Sequence, residues 1–231
     1  MTWLTNWFSQ LHSTFIEGER YKMILEGLGN TIIIAIGALI IGVVLGSLTA
    51  IGKVFSEGNR KLRVIGWICN LYTTVIRGVP IVVLLLIFYF IILKASDGVT
   101  VAIVAFGINS GAYVAEIVRS GILAVDPGQT EAGRSLGMSQ AMTMWKVVFP
   151  QALKNILPAI GNEMIALLKE TSVAGYVAVV DLTRAGNLIR NNTYDAFNPL
   201  MLVALVYLVI VVGLTALLGR LERRLRKSDK R

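Results

Sequence analysis

Long apolar runs separated by short polar stretches set the reading of this chain. Gly27 to Gly52 contains no charged residue, Val64 to Leu93 only Arg77, Val99 to Val118 only Glu116, and Pro199 to Gly219 again none. Asn155 to Val180 is apolar around Glu163, Lys169 and Glu170. A hydrocarbon core of about 30 Å takes roughly 20 helical residues, so these windows predict five transmembrane helices over 27–52, 64–93, 99–118, 155–180 and 199–219 in a single domain, residues 1–231. Ahead of them, Trp3, Leu4, Trp7, Phe8, Leu11 and Phe15 recur near helical spacing and predict an interfacial helix at the headgroup boundary. Acidic residues follow this stretch, and it is read as structure and not as a secretory signal.

Inside the spans the polar residues follow helical periods. The second span is interrupted at Arg77-Gly78-Val79-Pro80, where a charge, a flexible residue and a helix breaker coincide. Such a break is tolerated at membrane depth only against protein or a wet cavity. Thr74, Thr73 and Asn70 lie on the Arg77 face and should turn from lipid. On the third span Asn109, Ala112, Tyr113 and Glu116 share a face, with Ser110 beside Asn109 and Arg119 one turn beyond Glu116. The fourth carries Asn162 and Glu163. An intramembrane carboxylate costs about 2.5 to 3.5 kcal/mol on insertion scales and marks a candidate site; internal ion pairing of Glu116 with Arg119 or Arg77, and of Glu170 with Lys169, is the plainer alternative. If Glu116 and Glu163 stand unpaired on one cavity, a bound ammonium or guanidinium would restore the charge that burial disfavours. Gly42 and Gly46 form a small-xxx-small pair that fits either packing within the subunit or a subunit interface.

The segment 126–150 is polar and punctuated by glycine. Asp126 suits an N-cap, Pro127 the first helical position, Gly137 the residue just past the helix end and Ser139 a second cap, so a helix-turn-helix is expected. Gln129, Glu131 and Arg134 would be exposed, with Ala132 and Gly133 leaving room for a partner surface.

Composition agrees with the membrane class: 231 residues, 55% apolar, mean hydropathy +0.69. The net charge of +8 is largely topology, because alternate connections and the tail hold fifteen basic residues against five in the other set. This places the C-terminus inside and, with five spans, the N-terminus outside. The basic tail lacks the aromatic interleaving or motif that would indicate nucleic acid. Cys69 and His12 are each the only residue of their type, which excludes a disulfide framework and a Cys/His metal site within one chain. No phosphate loop of the G-x4-GK-[ST] kind occurs, so neither ATP nor another cofactor is expected on this chain.

Glu131-Ala132-Gly133, three residues, Gly137, nine residues, Val147, one residue and Phe149-Pro150 resemble the EAA motif of ABC-importer membrane subunits, EAA-x3-G-x9-I-x-LP. Gly133 replaces the second alanine, Val147 the isoleucine and Phe149 the leucine. Ile76 to Pro80, Tyr113 to Ile122 and Leu167 to Ser172 look like the polar amino-acid permeases, the histidine, glutamine and arginine permease family. The resemblance, from about Gly27 to the last span, implies an all-α type I ABC importer permease fold, with five core helices and a cytoplasmic coupling helix. Its implied partners are two cytoplasmic ABC ATPase subunits that bind ATP and Mg, an extracytoplasmic solute-binding protein and a second permease subunit, a homodimer being favoured over a heterodimer. Its implied setting is a prokaryotic cell membrane, the inner membrane where there are two, and its implied solute a polar amino acid. Glu163, Glu116, Asn109, Ser110, Asn162 and Thr74 are the candidate contacts for a basic amino acid. Gln129, Glu131, Ala132, Gly133, Arg134 and Gly137 are the candidate ATPase contacts. An ion-coupled carrier or channel using Glu116, Glu163 and Arg77 is the alternative; an intramembrane enzyme lacks a paired acid-base or His/Cys signature.

Overall fold

A computed structural model describes residues 2–57 and 60–227, with the side chains of 2–6, 226 and 227 left aside; Trp3, Leu4 and the last basic residues of the tail therefore lie outside the description. Among the described residues the secondary structure is helical throughout. The helices are α1 (Thr2–Leu11), α2 (Tyr21–Ser56), α3 (Arg63–Gly78), α4 (Ile81–Ile87), α5 (Gly98–Leu123), α6 (Pro127–Ser135), α7 (Gln140–Thr143), α8 (Phe149–Glu170), α9 (Leu182–Thr193) and α10 (Phe197–Lys227).

Three of these, α2, α5 and α10, are long and apolar enough to cross a membrane by themselves. A fourth crossing is reached if α3 and α4 count as one interrupted span, and the interruption falls at Val79-Pro80 as the sequence predicts. The expected fourth span, 155–180, is displaced: α8 begins at Phe149 and stops at Glu170, and a 3₁₀ segment Thr171–Val177 follows. The Thr171 hydroxyl donates to the Leu168 carbonyl at 2.8 Å, and Ala178 takes φ 62°, which closes the 3₁₀ segment.

The chain divides into two compact units. The first comprises residues 1–38, 81–106 and 166–213. Its apolar centre is Ile24, Leu182, Ala185, Ile189 and Val203. Polar contacts fix its chain entry: Trp7 Nε1 donates to Asn198 Oδ1 at 3.2 Å, and buried Thr14 donates to Asp195 Oδ2 at 2.9 Å. Asp181 caps α9 by accepting from the Thr183 and Arg184 amides, while Thr31 Oγ1 accepts from the Leu182 amide at 3.1 Å.

The second unit comprises residues 39–80, 107–165 and 214–231. Within it, Ala50, Val114, Val118, Ala152 and Ile156 form the core. One stripe of α2, at Ile40, Val44 and Leu48, is exposed, as a lipid-facing stripe is, whereas Gly42, Gly46 and Ala50 are buried. A Cβ at Gly42 would stand 2.7 Å from Ser110 Oγ, and one at Gly46 would stand 2.6 Å from the Val114 Cβ. The small-xxx-small pair thus serves packing of α2 on α5 inside the subunit.

Candidate functional site

The second unit gathers the charged groups. Lys53, just past the charge-free run of α2, is 5% exposed. Its ammonium donates to Thr73 Oγ1 of α3 at 2.7 Å and to Glu116 Oε1 of α5. The second oxygen of Glu116 accepts from Arg119 Nε at 3.0 Å, one turn along α5. One carboxylate is therefore held by two cations on different helices. Of the two readings of Glu116, counter-charge for a solute or internal ion pair, the structure has the pair with Arg119 and adds Lys53, because the buried Lys53 ammonium also needs an anion.

Glu163 differs. Its carboxylate accepts from Ser110 Oγ at 2.8 Å, and among the described residues it belongs to no ion pair. Ser110 is fully buried and Asn109 is 4% exposed, so both support the site from within. Asn162 and Thr74 are exposed. The sequence grouped these six residues; the structure joins Ser110 to Glu163 and leaves Glu116 with Lys53 and Arg119.

An open pocket of about 550 Å³ occupies the second unit. Thr73, Thr74, Asn70 and Arg77 of α3 line it together with Tyr113 and Glu116, so the polar stripe does face a cavity. The guanidinium of Arg77 lies 5.1 Å from the centroid of the Tyr113 ring, within cation–π range. Tyr72 donates its hydroxyl to the Ile108 carbonyl at 2.6 Å and adds a polar tie between α3 and α5. Tyr113 stands on the Glu116 face as its spacing predicts, whereas Lys53 and Tyr72 are not singled out as site residues by the sequence. The available signal was Glu116 itself, since an intramembrane acid needs a cation and Lys53 ends the nearest charge-free run.

The connection from α5 to α8 has the predicted caps. Asp126 Oδ1 accepts from the Gly128 amide at 2.8 Å, Pro127 opens α6, Gly137 has φ 80°, and Ser139 Oγ accepts from the Met142 amide at 3.2 Å. A positive φ of this kind favours glycine. Gln129, Glu131, Ala132, Arg134 and Gly137 are exposed. Gln129 accepts from Gln151 Nε2 at 3.1 Å, and Arg134 Nη1 donates to the Met138 carbonyl at 3.0 Å. Gly133 faces inward, where a Cβ would come 2.7 Å from Thr143 Cγ2, so it seats α6 on α7 and offers no room to a partner. Leu136, at the end of α6, is an apolar side chain 84% exposed, which its position in the motif does not single out.

Comparison with known proteins agrees with this geometry. Residues 42–227 match the family described as binding-protein-dependent transport system inner membrane component. The chain belongs to that family. Its fold is that of a type I ABC importer permease, a membrane subunit of nearly all-helical structure. The arginine transport system permease protein ArtQ of Bacillus subtilis is 39% identical over 210 residues, 89% of this chain and 94% of the relative. The glutamine transport system permease protein GlnP of Escherichia coli is 37% identical over 213 residues, 88% of this chain and 93% of the relative. A crystal structure of an amino acid ABC transporter with histidines is 41% identical with a TM-score of 0.83, covering 91% of this chain and 98% of that one. Inward facing conformations of the MetNI methionine ABC transporter match at 21% identity and TM-score 0.77, over 89% of this chain and 97% of that one, and bear on the fold alone.

Proposed function

We propose that this chain is the translocation subunit of an ATP-driven importer of polar amino acids, with preference for basic ones. The carrying observation is Glu163, a half-buried carboxylate hydrogen-bonded by Ser110 and free of any ion pair among the described residues. A solute ammonium or guanidinium would satisfy it, and Asn162 and Thr74 are the exposed polar groups to assist. Relatives named for arginine and glutamine transport support an amino-acid solute.

Energy enters through a separate cytoplasmic ATPase, two copies per complex, which binds ATP and Mg in place of this chain. Its contact is α6, where Gln129, Glu131, Arg134 and Leu136 stand exposed; Gly137 gives the helix its end, and Gly133 acts from behind. Two permease subunits, in a homodimer ahead of a heterodimer, and an extracytoplasmic binding protein complete the assembly. The charge distribution supports a cytoplasmic C-terminus and an outside N-terminus. Closure of the ATPases on nucleotide moves α6, α5 follows through the short link Ala124-Val125, and the cavity alternates between the two sides.

The test is uptake of labelled arginine, lysine and glutamine into vesicles carrying the permease, its ATPase and binding protein. ATP-dependent uptake, with Glu163→Gln depressing the basic solutes at least several-fold more than glutamine, is expected. Equal depression of all three refutes the basic preference, and uptake without the ATPase refutes the importer reading in favour of a carrier.

A further inference from the structure

Arg77 has no function in the reading above, yet its setting is specific. It extends from the last turn of α3 into the open pocket, and among the described residues no carboxylate pairs with it. Arg77 is exposed to this open pocket, and a guanidinium within a span that faces a wet cavity without a protein counter-charge is suited to attract an anion. Among the described residues the acid lining the pocket is Glu116, which is already held by Lys53 and Arg119. With two basic side chains and one committed acid, the lining carries a net positive charge.

The Arg77 group is also held in place. Its guanidinium carbon lies 5.1 Å from the centroid of the Tyr113 ring, a cation–π contact that restrains the group while it lines the pocket. Thr73 is spent on Lys53 and its own helix, but Thr74 is exposed in the same lining and can contribute a hydroxyl. A planar guanidinium with a neighbouring hydroxyl matches a carboxylate, which it binds through two parallel N–H···O bonds. Glu163 lies outside the lining of this pocket and is tied to it through α5, where its partner Ser110 precedes Tyr113 by three residues, about 4.5 Å along the helix.

We infer that Arg77 is the carboxylate-binding residue of the pathway, reading the α-carboxylate of the solute while Glu163 reads its cationic end. The inference rests on the amino-acid reading above. It makes the site a reader of amino acids as zwitterions, and it separates them from the corresponding amines, which keep the cationic side chain and lack the carboxylate.

Equilibrium binding to the permease–ATPase complex in lipid nanodiscs tests this with two pairs of probes, arginine against its decarboxylated amine agmatine, and glutamine against 4-aminobutanamide. Wild type should bind at least one amino acid 10-fold or more tightly than its amine. Arg77→Gln should weaken that amino acid about 10-fold and leave the amine unchanged, so that the preference collapses; Arg77→Lys, which keeps the charge without the fork, should fall between. Size-exclusion of each complex checks assembly, and Arg77→Lys alone decides if Arg77→Gln does not assemble. Parallel loss of amino acid and amine overturns the inference, as does unchanged binding in both variants. A phospholipid that co-purifies with wild type, is lost from Arg77→Gln and leaves amino-acid binding intact would assign the pocket to a lipid phosphate and also overturn it. Wild-type complex that binds neither amino acid removes the amino-acid reading and this inference together, whereas wild-type binding unaffected by Arg77→Gln removes this inference alone.

Discussion

Replacing Glu116 with glutamine should be more damaging than replacing Lys53 with methionine, although both break the same ion pair. Removal of one member of a buried pair costs about 3 to 5 kcal/mol, because the other charge stays behind without compensation. Lys53, with its side chain 6% exposed, would keep the Thr73 hydroxyl and a neutral amide oxygen in place of its counter-charge, and Arg119, facing the amide NH2, would lose both its bonds. The Arg119 side chain is 33% exposed, so water recovers most of its share, and Glu116 at 24% is itself partly wetted. We therefore expect about 3 kcal/mol for Glu116→Gln, near the low end of that range. In Lys53→Met the carboxylate keeps Arg119, and the loss should be nearer 1 to 2 kcal/mol, roughly one charged hydrogen bond. The double variant should be more stable than Glu116→Gln alone, since it removes the stranded ammonium. Thermal unfolding of the detergent-solubilised chain reads this as a fall in midpoint of about 6 to 12 °C for Glu116→Gln, partly recovered in the double variant. Equal losses in the two single variants that add in the double would refute the stranded-charge reasoning.

Gly46→Ala should destabilise the chain by about 1 to 3 kcal/mol despite the better helix propensity of alanine, because the new methyl meets Val114 Cβ and the Gly111 carbonyl at 2.6 and 2.8 Å; unfolding midpoints check it, and Gly29→Ala, with no neighbour within 4 Å, is the control. Asp126→Ala removes the acceptor of the Gly128 amide and should cost α6 about 1 kcal/mol, visible as faster amide exchange over residues 128–131 with the spans unaffected. Glu131→Lys and Gly137→Val should leave solute binding intact and lower uptake per ATP hydrolysed, measured in vesicles; unchanged coupling in both would remove the role of α6. For Asp195, burial raises the carboxyl pKa, but hydrogen bonds from Asn198 and Thr14 outweigh it and hold the group below its ordinary 3.8. A depressed carboxyl contributes stability in full above the unfolded value and loses it as pH falls through the folded one, so Asp195→Asn should flatten the loss of stability below about pH 4 and leave the neutral range without that pH dependence.

Local chemistry was the legible part of the sequence. Asp126, Pro127, Gly137 and Ser139 act through bonds spanning two or three residues, and each stands where its residue type predicts. The Val79-Pro80 break was legible for the same reason. Contacts across helices were not. Lys53 and Glu116 are 63 positions apart, and a lysine at the end of an apolar run reads first as a topology marker. Gly133 could not be oriented from the sequence, because a glycine carries no side chain to show which surface it meets. The end of α8 was missed by ten residues because apolarity continues beyond Glu170 to Val180 while the backbone tightens into a 3₁₀ segment at Thr171.

The glycine seam between α2 and α5 bears on how force moves through the second unit. Where Gly42 and Gly46 meet Ser110, Gly111 and Val114, α2 contributes no side chain of its own, and the Ser110 and Val114 side chains sit directly on its backbone. Packing this close favours movement of the two helices together over gradual separation. On the proposed role of α6, a displacement delivered there would reach Ser110, and through its hydrogen bond Glu163, along a tightly packed part of α5.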